Sequence, residues 1–267
     1  MVKLDDFNEA SRLAFAHMKP GVLTNHVMTA DEYRADIAHG ALFAHTWAGG
    51  VLFLRKRATC HMLSYYLNDL NILPECDLPG DTFLEIAYKP SEVENAGHAV
   101  DFWEQAGLWT VLERIRLTRP AAVADVQNCV QADNRPNVNI ATLQDINACY
   151  KLMQASFDPI TGHIPEYYEI EDSIAAGCIL CLRDLQHMVC GLLRWVPRAA
   201  SIEIRQLALR EDVRGQGLAR YLLDAYIEKW GNSKNTVWVR DGYIPALKSY
   251  TAAGFEPDGR RSIVMCL

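Results

Sequence analysis

The feature that most constrains this chain is a short glycine turn, Arg214-Gly215-Gln216-Gly217-Leu218-Ala219, set between a strand pattern and an amphipathic helix. The run before it, Ser201 to Leu209, is rich in Ile and Leu with polar residues interspersed, as expected of a strand. The run after it places Leu218, Tyr221, Leu222, Ala225 and Trp230 near one face at helical spacing. A turn of this kind points backbone N–H groups outward at a helix start, where about half a positive charge is concentrated. It predicts a main-chain cradle for the diphosphate of a nucleotide-derived cofactor. Gly215 and Gly217 lack a Cβ, so the chain takes positive φ and lets a ligand approach closely, while Arg214 adds charge-assisted hydrogen bonds. An ordinary strand-to-helix loop is the competing reading.

Two familiar phosphate fingerprints fail at these residues. The dinucleotide fingerprint needs a glycine three positions after Gly217, where this chain has Arg220, and the P-loop needs a Gly-Lys-Ser/Thr ending that is absent. The signature Gln/Arg-x-x-Gly-x-Gly/Ala is filled by Arg214, Gly217 and Ala219. With it, the chain resembles the GNAT superfamily of acyl-CoA-dependent N-acetyltransferases at its motif A. Val237, Trp238 and Val239 resemble that family's fifth strand, and Ala246, Tyr250, Gly254 and Phe255 resemble its motif B helix. The resemblance covers roughly residues 137 to 267. One position departs: the asparagine usual seven residues before the motif B tyrosine is Tyr243 here, which changes one contact to the pantetheine arm.

The resemblance implies acetyl-CoA as co-substrate and no metal. It implies that Leu207, Ala208 and Leu209 supply backbone contacts to the thioester and pantetheine, and that Arg214, Gly215, Gln216, Gly217, Leu218 and Ala219 hold the diphosphate. Tyr250 would protonate the departing thiolate, since a phenol of pKa near 10 can donate to a thiolate whose conjugate acid lies near 8.5. Glu203, four residues before Leu207, is the candidate base. In a regular strand Glu203, Arg205 and Leu207 share one face. Neutralisation of Glu203 by Arg205 or a cross-strand partner, and a water relay, are the competing readings. The acceptor would be a primary amine of a small molecule, amino acid or peptide, lined by Phe157 to Asp172. Tyr167 and Tyr168 with Glu166, Glu169 and Glu171 suit a cation there, although a solvated helix face explains the same acids. The rival function is a non-catalytic acyl-CoA-binding sensory or regulatory protein.

The chain's 267 residues suffice for two cores of about 130 residues each. The segment Arg119 to Pro136, with Pro120, Asp133 and Asn134, is the expected boundary, giving a unit over 1–130 and a catalytic unit over 137–267. Helices are expected over about 4–18, 30–38 (Thr29 and Glu32 forming a capping box), 92–106, 142–156, 166–176 and 218–230, with a further helix carrying Tyr250. Strands are expected over 41–47, 51–56, 60–67, 82–88, 108–117, 138–141, 178–182, 188–195, 201–209, 236–240 and 261–266. The fold class is therefore mixed α/β, a mostly antiparallel twisted sheet flanked by helices. Phe102, Trp103, Ala106, Gly107 and Leu108 echo Ser249, Tyr250, Ala253, Gly254 and Phe255, so the first half resembles a second, degenerate GNAT unit. Between Leu67 and Thr82 there is no Arg-x-x-Gly-x-Gly pattern and too little chain for a cradle and helix, so that half is expected to lack a CoA site.

A net charge of −7 argues against a nucleic-acid partner and favours cationic acceptors. No apolar window is long enough to span a membrane, and Asp5, Asp6 and Glu9 replace the basic start of an export signal, so no membrane partner and a cytoplasmic location are expected. The eight cysteines are scattered, and the Cys178-x-x-Cys181 pair lies on a strand that sends its side chains to opposite faces, so reduced core thiols are expected rather than zinc ligands.

Overall fold

A computed structural model describes residues 1–121 and 137–267. The expected boundary residues Asp133, Asn134 and Pro136, and Cys129 with them, lie outside the described residues. The chain forms two compact units, Met1–Arg114 with Arg260–Leu267, and Ile115–Gly259.

The first unit contains strands β1 (Val2–Lys3), β2 (Leu23–Thr24), β3 (Leu42–Trp47), β4 (Gly50–Lys56), β5 (His61–Leu67), β6 (Thr82–Tyr88) and the start of β7 (Trp109–Arg119). Its helices are α1 (Phe7–His17), α2 (Ala30–Ala38) and α3 (Val93–Gln105). The sheet runs β1-β3-β4-β5-β6, with β2 added to β5. Strands β3, β4 and β5 are an antiparallel meander, and β5 then pairs parallel with β6. Apolar alternation along β4 splits between two layers: Leu52 and Leu54 pack with Phe102 and Trp103 of α3, whereas Val51 and Phe53 pack with Ala10, Ala14 and Tyr33 of α1 and α2. Helix α2 begins as its sequence dictates: the Thr29 hydroxyl accepts from the Glu32 N–H at 3.2 Å and the Glu32 carboxylate accepts from the Thr29 N–H at 2.8 Å.

The second unit repeats this plan. It contains β8 (Asn137–Ile140), α4 (Ile146–Ser156), α5 (Tyr167–Ala175), β9 (Ile179–Arg183), β10 (Val189–Arg198), β11 (Ser201–Leu209), α6 (Leu218–Trp230), β12 (Asn235–Arg240), α7 (Ile244–Ala252) and the start of β13 (Glu256–Cys266). Its sheet runs β12-β11-β10-β9-β8, with β11 and β12 parallel and β8 to β11 antiparallel. Helices α4 and α5 cover one face and α6 with α7 the other. Leu222, Leu223 and Tyr226 of α6 are fully buried, each burial being worth about 1.5–3 kcal/mol over an exposed side chain.

The mixed α/β class and the flanked, mostly antiparallel sheets agree with expectation, and α6 occupies the residues its periodicity marks. The last strand differs. It begins at Glu256 and not near Arg261, because Asp258 is drawn into the sheet by Arg116 Nε and the Thr118 hydroxyl, each at 2.7 Å. Its final residues, Arg260–Leu267, group with the first unit, where Met265 is buried beside Leu84 and Phe102.

Candidate acyl-CoA site

The site is built on β11. Opposite it on β10, Arg194 faces Gln206 while the next residue, Trp195, faces Ile204, so Arg205 is one residue too many. This is a β-bulge, and it reverses the side-chain alternation. Before the bulge Ile202 and Ile204 point into the core beneath α6 and α7; after it Leu207 and Leu209 do, and Ala208 points toward α4 and α5. The expectation that Glu203, Arg205 and Leu207 share a face is therefore corrected: the bulge puts Glu203 and Leu207 on opposite faces. On its other side β11 pairs with β12 for three residues, Ile202↔Asn235, Glu203↔Thr236 and Ile204↔Val237, and the two strands then part. Among the described residues the backbone of Leu207, Ala208 and Leu209 consequently has one edge without a sheet partner, as an added strand-like ligand requires.

The chain leaves this edge into the glycine turn. Gly215 and Gly217 both have φ of +76°, the left-handed region that glycine adopts at no steric cost, and Gly217 caps α6 with no side-chain hydrogen bond. A Cβ built on either glycine would meet nothing within 4 Å, so the concave side of the turn is open. Among the described residues the N–H groups of Gly215, Gln216, Gly217, Leu218 and Ala219 find no acceptor. Five such amides at a helix N-terminus, with no acidic residue in the first helical turn, fit a diphosphate in both charge and hydrogen-bonding capacity. Arg214 is used differently from the expectation. Its Nε donates to the Leu209 carbonyl at 2.9 Å and an amino group reaches the Ser156 hydroxyl at 3.4 Å, so it ties the turn to the end of β11. Gln216 braces the same turn through the Asp212 carbonyl at 3.1 Å.

Tyr250 lies on α7, 5% exposed, with its ring edge-on to Phe255 at 5.5 Å. Its hydroxyl has no partner among the described residues. Burial pushes the phenol pKa up, so it remains a proton donor at any neutral pH. Tyr243 caps the same helix and is more than half exposed.

Glu203 is held by two guanidinium groups, Arg205 at 2.7 Å on one oxygen and Arg198 at 3.0 Å on the other. Burial alone would raise its pKa, but Arg205 and then Arg198 outweigh it and hold the carboxyl below the usual range. With both oxygens engaged, the group is a weak proton acceptor. Because the folded pKa is depressed, Glu203 contributes stability above the unfolded carboxylate pKa of about 4.3, and loses it as pH falls through the folded value. Thermal unfolding followed from pH 7 downward should therefore show an acid-side fall in Tm that Glu203→Gln flattens; parallel curves for the two proteins would contradict the ion pairs.

On the opposite side, the loop between α4 and α5 is anchored to β11, since Gln206 donates to the His163 carbonyl at 2.9 Å and accepts from buried Arg194 at 3.0 Å. Arg194 also donates to Ser173 of α5 at 2.9 Å. His163 has φ of +49°, a left-handed conformation costly for a residue with a Cβ. The sequence did not single out Gln206 or Arg194, although a polar pair inside an otherwise apolar run is a readable signal. Of the expected acceptor acids, Glu169 is spent on the Glu166 N–H at 2.7 Å, completing the cap of α5, and Glu171 is exposed. Tyr167 donates to Asn147 at 3.1 Å and packs edge-on to Tyr150. Cys178 and Cys181 do face opposite layers of core, and Cys181 meets Cys149 at 3.5 Å. Among the described residues no cluster of three metal-ligating side chains occurs, and no helix is long and apolar enough to cross a membrane.

Residues 146–255 match the model of the acetyltransferase (GNAT) family. Among solved structures, the chain is similar to a GNAT-family acetyltransferase from Colwellia psychrerythraea at 12% identity, covering 99% of this chain and 97% of that one with a TM-score of 0.57. It is similar to a GCN5-related N-acetyltransferase from Sphaerobacter thermophilus at 13% identity, covering 81% and 76% with a TM-score of 0.55. A tandem GNAT protein from the clavulanic acid biosynthesis pathway aligns at 12% identity over 85% and 83%, with a TM-score of 0.51. At these identities the likeness is one of fold. No curated protein matches the chain.

Proposed function

We propose that this protein transfers an acetyl group from acetyl-CoA to a primary amine of a small molecule, amino acid or peptide, a reading supported by the match of residues 146–255 to the model of the acetyltransferase (GNAT) family. The observation that carries the proposal is the row of five amides at Gly215 to Ala219 that find no acceptor among the described residues, continuous with the edge of Leu207 to Leu209. The catalytic unit is the second one, and the first serves as a degenerate unit without a CoA site. The acidic charge and core thiols suit a cytoplasmic enzyme that does not bind nucleic acid.

Bound acetyl-CoA supplies the activated acyl group as a thioester. The turn holds its diphosphate, and the β11 backbone positions the pantetheine and polarises the carbonyl, a kind of donor worth about a hundred- to thousand-fold in rate. Tyr250 protonates the sulfur as the C–S bond breaks and the C–N bond forms. The proton of the attacking amine leaves through water and not through Glu203, whose carboxylate is neutralised by Arg198 and Arg205. The acceptor enters beside the loop anchored by Gln206, on the α4 and α5 side of the sheet.

Mixing the protein with acetyl-CoA and a panel of primary amines, and following release of free thiol, tests the proposal. Amine-dependent thiol release is expected. Binding of acetyl-CoA without release to any amine would instead favour a sensory protein, and no binding would exclude both.

A further inference from the structure

We propose that the first unit contains a second pantetheine slot that the chain has filled with its own residues Leu23 to Asn25, so that the protein binds one acyl-CoA and not two. The inference rests on the reading of the second unit given above. In that unit the slot is the place where two parallel strands part. The first unit has the same construction: β5 and β6 pair parallel at His61↔Thr82 and Met62↔Phe83, and then separate. Here the gap is occupied. The Asn25 carboxamide donates to the Leu63 carbonyl of β5 at 3.1 Å and to the Glu85 carbonyl of β6 at 3.2 Å, and accepts from the Tyr65 N–H at 2.9 Å. Just before it, β2 adds to β5 at Leu23↔Leu67 and Thr24↔Tyr66, and the Thr24 hydroxyl donates to the Tyr65 carbonyl at 2.5 Å. A short extended segment ending in a primary amide thus takes the main-chain groups that a diamide arm would need.

Two further observations identify this gap as the counterpart of the second unit's slot. First, the units match element by element. Helices α2 and α5 both open with a carboxylate-capped turn, through Glu32 and Glu169, and both run to Ile-Ala-x-Gly, with Gly40 at φ +63° and Gly177 at φ +65°. Second, α3 and α7 end alike. The Leu108 N–H bonds the Trp103 carbonyl at 2.9 Å, as the Phe255 N–H bonds the Tyr250 carbonyl at 3.0 Å, and Gly107 and Gly254 both have positive φ. Trp103 therefore stands where the second unit has Tyr250. Its indole is fully buried against Tyr65, and it fills the core without offering a phenol to a thiolate.

Hydrogen exchange read by mass spectrometry, on the full chain with and without saturating acetyl-CoA, tests this. Residues 207–219 should gain protection on binding. Residues 63–67 should exchange slowly in both states and change in neither, with one acetyl-CoA per chain in the native mass spectrum. Asn25→Ala should speed exchange at 63–67 by about ten- to a hundredfold, since a buried amide loses its acceptor. Asn25→Asp, which keeps the acceptor for Tyr65 but loses both donors, should do so less and covers the case in which the alanine variant does not fold. Protection gained at 63–67 on adding acetyl-CoA, two ligands per chain, or fast exchange there in the unmodified protein would each overturn the proposal. Unchanged exchange at 207–219, with 63–67 still slow and still opened by Asn25→Ala, would overturn the second unit's assignment while upholding the filled slot.

Discussion

Tyr250→Phe is expected to lower kcat for acetyl transfer by about a hundred- to a thousand-fold while leaving the fold and the affinity for acetyl-CoA unchanged. The phenol ring is packed on all sides, and Phe keeps that packing, including the edge contact with Phe255. Among the described residues the hydroxyl has no hydrogen bond to lose, so its removal leaves none of them unpaired, and little stability goes with it. What would disappear, on the proposed mechanism, is the proton for the leaving sulfur. Burial keeps that proton on the oxygen in the resting protein, so a thiolate appearing beside it meets a filled donor. The rate of thiol release and the calorimetric affinity should therefore separate. A loss of both together, or a lower Tm, would mark Tyr250 as a core residue and nothing more.

The second large effect belongs to the cradle. Gly217→Val should weaken acetyl-CoA binding by about a hundredfold or more, and lower stability as well. A β-branched residue at φ of +76° costs about 1–2 kcal/mol in strain. In addition the new side chain projects into the open space where the phosphates would meet the amides, and each charge-assisted hydrogen bond lost costs about 1.5–3 kcal/mol. Because tenfold in affinity is about 1.4 kcal/mol, the lost hydrogen bonds are measurable as affinity, whereas the strain, borne by the free protein as well, is read as a lower Tm. Isothermal titration with acetyl-CoA distinguishes this from a folding defect when Gly97→Ala, on an exposed helical position of α3 with ordinary φ and free space, is carried as the control. Equal affinity for Gly217→Val and the unmodified protein would show that the turn holds no phosphate.

Much of this architecture is written in local sequence, and the exceptions have physical causes. Helix α6 is legible in its extent because apolar residues recur at helical spacing after a glycine that breaks the preceding strand, but its buried face is Leu222, Leu223 and Tyr226, and Tyr221, expected on that face, is exposed. Helix α2 is legible because Thr29 and Glu32 satisfy each other's orphan donors. The bulge at Arg205 was also present in the pattern: apolar residues fall at 202 and 204, and then at 207 and 209, and that step of three is the parity change. Reading the run as one regular strand put Glu203 and Leu207 on the same face. Other features have no local signature. The start of β13 is polar and contains Pro257 and Gly259, and it is a strand because Arg116 and Thr118, far away in sequence, hold Asp258. Asn25 reads as an ordinary loop residue, and only the parting of β5 from β6 gives its carboxamide three partners. The glycine turn, in contrast, is readable directly, because Gly215 and Gly217 mark the left-handed backbone that the structure shows there.

The most direct measurement is nuclear magnetic resonance of the 15N-labelled protein titrated with acetyl-CoA. Amide resonances of Gly215, Gln216, Gly217, Leu218 and Ala219 should shift strongly and saturate together with those of Leu207 and Leu209, and pantetheine, which lacks the diphosphate, should leave the first group unmoved. Binding of acetyl-CoA that shifts amides elsewhere and leaves Gly215 to Ala219 in place would contradict the account at its foundation.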